Sequence, residues 1–305
     1  NERELADLYR ELRPYAFAIA YRMLGSVSEA EDVVQDAFVR LSSVDLEHID
    51  SPKAYLATIT TRLAIDALTS ARARREQYVG PWLPEPLIAD TAPQADEVVE
   101  TADSLAMAFL VVLEQLSPVE RAVFLLREVF GYDYAEIARI VDKSEANCRQ
   151  LVSRARKHIE DGGKPRFEAS KQQRFQLADK FMAAAQNGDM DGLVALLAGD
   201  VAFYGDGGGI ATALPKPMYG REAVARFLVG LFRRGRTLNA SLQPAEVNGQ
   251  PGAVALDADG LVISVLSFDI ADGQVQAIRS VVNPNKLTHL GPTSPVGLRA
   301  GTPDS

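Results

Sequence analysis

The sequence predicts a multidomain chain in which two all-α units, a helical bundle and a helix-turn-helix, precede an α+β domain. Three observations point there. Residues 1–75 and 101–162 read as successive capped amphipathic helices. Residues 76–100 hold four prolines and no basic residue. Beyond Gly162, Gly163 and Pro165, helices give way to alternating strands separated by turn signals. A length of 305 residues with 47% apolar content is enough for two or three cores.

From the start, residues 2–13 and 15–24 carry helical patterns separated at Pro14, and Gly25 closes the second. Ser28 and Glu31 form a capping pair for a third helix, whose apolar stripe is Val33, Val34, Ala37, Phe38 and Leu41. Opposite that stripe lie Glu31, Asp32, Gln35, Asp36 and Arg40. They are either a solvated face or an acidic docking surface for a basic partner. Residues 42–51 read as loop. Ser51 and Pro52 then open a long helix to about Arg75 that carries Arg62, Arg72, Arg74 and Arg75, where positive charge suits a helix C-terminus and also suits DNA phosphates.

The stretch 76–100 has six acidic residues and no sustained period, as a linker would. Within it Trp82, Leu83, Pro84, Glu85 and Pro86 form a stiff apolar segment around the chain's single tryptophan. Exposed tryptophan between prolines is costly in water, so the segment is expected to dock on a partner or on another part of the chain.

Residues 117–159 spell a helix-turn-helix. Ser117, Pro118 and Glu120 make a capping box with proline in the first turn, Asp133 and Glu136 repeat the device, and Ser144 caps a third helix. On that helix Cys148, Leu151, Val152, Ala155 and Ile159 share an apolar face. The other face carries Asn147, Arg149, Gln150, Ser153, Arg154, Arg156 and Lys157, able to reach base edges near the helix start and phosphates further along. An ordinary solvated face is the alternative for a lone basic helix. The preceding helix and short turn favour the groove-reading arrangement.

In the last part, helices are expected over 172–187, 193–197 and 221–232, with hairpin turns at Asn248-Gly249 and Asp272-Gly273 and an antiparallel sheet that curves around a pocket. Asp206, Gly207, Gly208 and Gly209 follow an apolar run and should form a strand-end loop whose backbone approaches another surface closely. Asn283, Pro284, Asn285, Lys286 and Leu287 end the final strand and project beyond it. Residues 291–305 are expected to fray.

Net charge is −9, but six of those nine excess charges fall in 76–100, so the average does not exclude nucleic acid. One cysteine rules out an internal disulfide framework, and the three histidines, His48, His158 and His289, lack metal-ligand spacing. No glycine-rich phosphate loop follows a strand, and no cofactor is expected. No apolar run approaches the roughly 18 residues of a membrane span and no signal peptide is evident, so a cytoplasmic protein with no membrane partner is expected.

Residues 30–41, 51–75 and the helix-turn-helix resemble domains 2 and 4 of extracytoplasmic-function sigma factors, in the family's order. The C-terminal half is similar to the SnoaL-like, NTF2-like cone. The motifs WLPEP (82–86), DGGG (206–209) and NPNKL (283–287) together resemble the signature of the SnoaL-extended, SigJ-type members. The resemblance implies sigma domain 2 over 1–76, an acidic Pro-rich linker over 77–100, sigma domain 4 over 101–162, a SnoaL-like regulatory domain over 167–290 and a flexible tail over 291–305.

It further implies that the face of Glu31, Asp32, Gln35, Asp36 and Arg40 binds core RNA polymerase. Residues 42–51 and the helix after them would melt and read the minus-ten element of promoter DNA, with an unstacked base captured in a pocket. The helix from Glu145 would read the minus-thirty-five element, and the three motifs would form an interdomain regulatory joint. Departures are Tyr55 where the family has Trp, Arg62 where it has Asn, and Asn285 where the related motif has Asp.

Three function classes follow. The first is a sigma factor controlled in cis by its C-terminal domain, a role compatible with an unidentified small-molecule ligand in the cone. The second is a bifunctional enzyme, weakened by the lack of any histidine in the cone before His289 and by Asp206 sitting among glycines rather than beside an orienting partner. The third is a simple helix-turn-helix repressor, which leaves the first 75 residues without a purpose. The expectation is a non-enzymatic promoter-specificity subunit.

Overall fold

The computed structural model describes residues 2–45, 48–89, 104–161 and 170–297. These fall into two units: 2–45, 48–76, 104–105 and 109–161 form a helical one, and 77–89, 106–108 and 170–297 form one built on a sheet.

In the helical unit α1 (Glu2–Leu24), α2 (Val27–Ser42) and α3 (Pro52–Arg75) pack pairwise. Pro14 lies inside α1 rather than between two helices. The proline removes one backbone donor, but Leu12 and Tyr15 on either side are buried, and the packing of α1 on α2 and α3 holds the helix through the gap. The cap of α2 is Ser26, whose hydroxyl accepts from the Glu29 amide, not Ser28 with Glu31. Two Ser-x-x-Glu registers overlap here, and the earlier one wins because it places Val27 and Ala30 on the buried stripe with Val33, Val34, Ala37, Phe38 and Leu41.

The remaining helices are α4 (Met107–Leu113), α5 (Pro118–Glu128), α6 (Tyr134–Val141) and α7 (Glu145–Asp161). Both expected capping boxes are present, at Ser117 with Glu120 and at Asp133 with Glu136, and the Ser144 hydroxyl accepts from the Asn147 amide. Cys148, Leu151 and Val152 of α7 close on Val123, Leu126, Ile137 and Ile140, with Ala155 and Ile159 also buried. The helix-turn-helix shares its unit with the bundle, because α3 lies against α5 and α6 and α1 against α5.

In the sheet unit α8 (Lys171–Asn187) and α9 (Met190–Leu196) precede β1 (Leu197–Asp206) and β2 (Met218–Tyr219). Then come α10 (Arg221–Thr237), β3 (Ser241–Val247), β4 (Gln250–Leu256), β5 (Val262–Ala271) and β6 (Gln274–Val281). α10 runs past the expected end at 232 to Thr237, with Arg234 and Arg236 in its last turn, where cations favour the exposed carbonyls. The strand order is β2-β1-β6-β5-β4-β3. All pairs are antiparallel except β1 with β6, a parallel pair that joins strands far apart in sequence and leaves no local pattern to read. The turns at Asn248-Gly249 and Asp272-Gly273 have positive φ at both residues, as two-residue hairpins require.

Helices α8, α9 and α10 cover one face of the sheet through Phe181, Leu193, Val224 and Leu228 against Val201, Phe203, Leu266, Phe268 and Ile278. Side chains alternate along a strand, so Asp206 lies on the other face of β1. The chain after β6 turns back: Lys286 and Leu287 are buried rather than projecting, in short 3-10 turns at Pro284–Lys286 and Thr288–Leu290. The segment expected to fray is docked as far as Gly297. Val262 donates to Pro292 O, Ser294 donates to Val262 O, and the Ser294 hydroxyl donates to Asp257 Oδ2 at 2.6 Å. Residues 298–305 of the expected tail lie outside the described residues.

Candidate functional site

Two sets of residues carry the functional argument. The first is a joint formed by residues 78–89, a strap that meets the end of β1 through Tyr78 and Leu83 and the edge strand β3 through Ile88. Its centre is the Asp206 carboxylate, fully buried at the end of β1. Oδ1 accepts from the Tyr78 hydroxyl and from the Gly208 amide at 3.2 Å. Oδ2 accepts from the Leu83 amide at 2.8 Å and from Lys286 Nζ at 2.7 Å. The Asp206 carbonyl takes the amides of Val282 and Asn283. Lys286 Nζ also donates to Leu83 O and sits 4.3 Å from the Trp82 ring centroid and 4.8 Å from that of Tyr78. A buried ion pair is favourable only when its remaining lone pairs and protons find partners, and here they do.

Burial and the negative Asp206 push the Tyr78 hydroxyl far above its ordinary pKa, so Tyr78 keeps its proton and donates it to the carboxylate. Asn283 Nδ2 donates to the Tyr78 oxygen at 2.8 Å, while Asn283 Oδ1 accepts the Asn285 amide. Asn285 itself is exposed, so its departure from the family motif falls where no buried charge needs it.

Further along, Leu87 makes two hydrogen bonds with Asn248, its amide donating to the side-chain Oδ1 at 2.9 Å and its carbonyl accepting the Asn248 backbone amide at 2.8 Å. Ile88 bridges Val247 antiparallel, the Ala89 amide donates to Glu246 O, and His289 Nε2 donates to Pro86 O at 2.8 Å. Leu83, Pro84, Glu85, Pro86, Leu87 and Ile88 are buried and Trp82 is half-buried. A segment with a linker's composition is thus packed over its described part.

The glycines of the joint make room for it. Gly208 and Gly209 have φ of +57° and +78°. A Cβ at Gly208 would overlap Asn283 Nδ2 and lie 3.0 Å from the Tyr78 oxygen, and one at Gly209 would lie 3.2 Å from Val79 Cβ. Gly207 faces the Ala211 carbonyl in the same way. Gly208→Ala is therefore expected to loosen the strap and shift Trp82 fluorescence to the red. Gly260→Ala, at φ +80° with open space around it, supplies the backbone strain alone. Equal losses of stability in the two variants would show that the close approach at Gly208 contributes nothing.

The second set belongs to the helical unit. Asp32, Gln35, Asp36 and Arg40 are exposed on α2 beside an exposed Val39, whereas Glu31 is held by Arg13 at 2.7 Å. On α7, Arg149, Gln150, Arg154, Arg156 and Lys157 are exposed and Asn147 is partly so. Arg149 is steadied by Glu145 at 2.8 Å and by the Tyr134 ring at 4.9 Å, and Arg156 pairs with Glu128 at 2.8 Å.

The α3 arginines have protein partners. Arg62 donates to the carbonyls of Ile140 at 2.8 Å and Arg139 at 2.9 Å, at the C-terminus of α6, where a cation complements the orphan carbonyls. Arg72 donates to Leu116 O at 2.9 Å, and Arg75 to Leu24 O and to Glu114. The side chain of Arg74 lies outside the described residues, as do residues 46 and 47 of the expected base-capturing loop.

Glu114 also receives Arg121, which is 1% exposed and donates to the carbonyl of Arg22, itself 0% exposed. Tyr15 and Tyr132 join their hydroxyls at 2.7 Å. Sequence reasoning missed Tyr78, Asn248 and His289 in the joint, and Glu114 and Arg121 in the helical unit.

Among the described residues no group of three or more His, Cys, Asp or Glu side chains is arranged to hold a metal, and no helix is long and apolar enough to cross a membrane.

Comparison with known proteins gives three family matches: Sigma-70 region 2 over residues 8–74, Sigma-70 region 4 over 106–159 and a SnoaL-like domain over 178–282. The chain is 37% identical over 292 residues to the ECF RNA polymerase sigma factor SigJ of Mycobacterium tuberculosis, covering 92% of each chain. It is 33% identical over 286 residues to a probable ECF RNA polymerase sigma factor, SigI, of the same species, covering 92% of this chain and 94% of that one. The crystal structure of the M. tuberculosis SigJ superposes with a TM-score of 0.75 at 35% identity, covering 93% of this chain and 98% of the other.

Proposed function

The chain belongs to the extracytoplasmic-function RNA polymerase sigma factors that carry a C-terminal SnoaL-like domain, and from that premise we propose that its sheet unit controls promoter use in cis through the strap. The observation that carries this reading is the convergence of residues 78–83, 206–209 and 283–286 on one buried carboxylate. The strap follows α3 directly in the chain, so its hold on the sheet restrains the segment leading out of the promoter-melting helix.

In this reading the protein works in the cytoplasm. The exposed face of α2 meets core polymerase, α3 and the loop before it melt and read the minus-ten element, and α7 reads the minus-thirty-five element. Arg62 and Arg72 exchange backbone carbonyls for phosphates when promoter DNA is engaged, because a guanidinium binds the anionic oxygen more strongly than the neutral one, whereas Arg75 keeps the Glu114 carboxylate.

The cavity between α10 and the strands β3 to β6 is lined by no Asp, Glu or His among the described residues, a lining suited to binding rather than to general acid or base work.

Run-off transcription with core polymerase tests the control. Gly208→Ala is expected to change transcript yield while polymerase binding stays near the parent's. Unchanged yield at equal polymerase occupancy would rule the joint out as a regulator.

Base reading is tested on promoter variants. Arg149→Ala is expected to cost about 1–3 kcal/mol and relax preference at one upstream position, whereas Arg154→Ala, holding phosphate, weakens every promoter alike. If both variants treat all promoters as the parent does, the α7 face is merely solvated.

A further inference from the structure

The sheet unit contains a cavity of about 550 Å³ between the C-terminal half of α10 and the strands β3 to β6. That volume is within the range of small-molecule sites. Its walls are apolar, with Leu231, Phe232, Leu242, Ile263, Leu266 and Val282 among them. Leu231 and Leu238 on its rim are 39% and 40% exposed, large apolar surface that an occupant would cover.

The polar groups in the lining are hydroxyls, the carboxamides of Gln186 and Asn187, and two guanidinia, which are its charged groups. Ser264 and Ser280 offer hydroxyls on adjacent strands, and Arg234 and Arg236 stand at the rim. Arg236 donates to Gln186 O at 2.7 Å, whereas the Arg234 guanidinium has no acceptor among the described residues. With no carboxylate in the described lining to neutralise them, the two arginines give the cavity a positive mouth over an apolar interior.

One wall joins this cavity to the joint. Ala211 and Thr212 line it, and they follow directly on the loop that begins at Asp206 and holds Gly208 and Gly209 against the strap. Ala211 donates to Gly207 O, and Thr212 donates to the carbonyl of Gly297. Val296 and Gly297, from the docked C-terminal segment, complete the same wall. A molecule touching this wall binds best when the loop and the segment are in place, so its binding favours the arrangement in which the strap is seated.

We infer that the cone is a receptor site for an amphipathic organic anion, an apolar body with a carboxylate-class head, whose occupancy strengthens the hold of the loop 206–212 on the strap. This rests on the reading of the joint as the regulator, but its test does not: binding is measured without transcription, and the joint is tested with Gly208→Ala.

The probe is sodium decanoate added to the full-length chain, with decanol and decyltrimethylammonium as neutral and cationic controls of equal chain length. Calorimetry is expected to give saturable one-site binding of decanoate, at least tenfold weaker binding of decanol and none of the cation. Arg234→Gln lowers decanoate affinity about tenfold, to the level of decanol, and Ala255→Phe, which fills the cavity, abolishes binding. Trp82 fluorescence titrates with the calorimetric midpoint.

Absence of saturable binding overturns the site, as does binding that ignores head-group charge. Decanoate affinity unchanged by Arg234→Gln does the same, a readout that stands even where Ala255→Phe fails to fold. Calorimetric binding that leaves Trp82 unchanged overturns the link to the strap.

Discussion

Asp206→Ala is expected to destabilise the sheet unit by about 3–5 kcal/mol, the cost of removing one partner from a buried ion pair. The loss has identifiable parts. The Lys286 ammonium stays buried without its carboxylate, the Leu83 amide loses its acceptor, and the Tyr78 hydroxyl loses the carboxylate oxygen it donates to. Trp82, the chain's single tryptophan, lies in the strap and reports this unit alone, so denaturant unfolding followed by its fluorescence measures the change. Adding Lys286→Met to Asp206→Ala should recover part of the loss, because the second substitution removes the stranded charge. A double variant no more stable than Asp206→Ala alone would mean that the backbone bonds of Asp206, not its carboxylate, hold the strap.

Glu114→Ala should cost the helical unit a similar amount, about 3–5 kcal/mol, since the almost fully buried Arg121 then loses the carboxylate it binds and Arg75 is left to the more distant Glu29, at 4.0 Å. The same group sets an acid limit. Burial pushes the Glu114 carboxyl up, and the charges of Arg121 and Arg75 more than offset this, leaving it below the ordinary value of 4.5. A carboxyl whose folded-state pKa is depressed binds its proton more readily when unfolded. Its contribution is therefore complete above the ordinary value and is lost as pH falls through the folded-state one. Far-ultraviolet circular dichroism during acid titration should show helix loss below pH 4.5 in the parent, with Glu114→Gln less stable at neutral pH and less sensitive to acid. Parallel titration curves for parent and variant would remove Glu114 as the source.

Much of the helical unit was legible in the residues. Reciprocal caps at Ser117 and Asp133 and the stripe Cys148, Leu151, Val152 are local patterns that the fold uses as they stand, whereas at α2 two overlapping cap registers had to be settled by burial. The failures share a cause. Pro14 is tolerated by packing from both sides, and the parallel pairing of β1 with β6 is fixed only when distant strands meet. The carbonyl partners of Arg62 and Arg72 were equally unreadable, because they lie on elements far along the chain. In the joint, Trp82, Asp206 and Lys286 stood out by type and motif. Tyr78 did not, since nothing nearby marks it until Asp206 and Asn283 arrive from elsewhere in the chain.

The strap has a consequence for how the protein is made. Leu83 and the Lys286 ammonium that binds its carbonyl are 203 residues apart in sequence. At a synthesis rate of about 5–20 residues per second, the strap waits roughly 10–40 s after emerging from the ribosome before its partner exists. During that interval Trp82, Leu83, Leu87 and Ile88 have no sheet to cover them, an apolar run open to chaperones and proteases. A message truncated before β6 leaves that run uncovered for good, so the cell meets such a product as an unfinished chain before it meets it as a deregulated one.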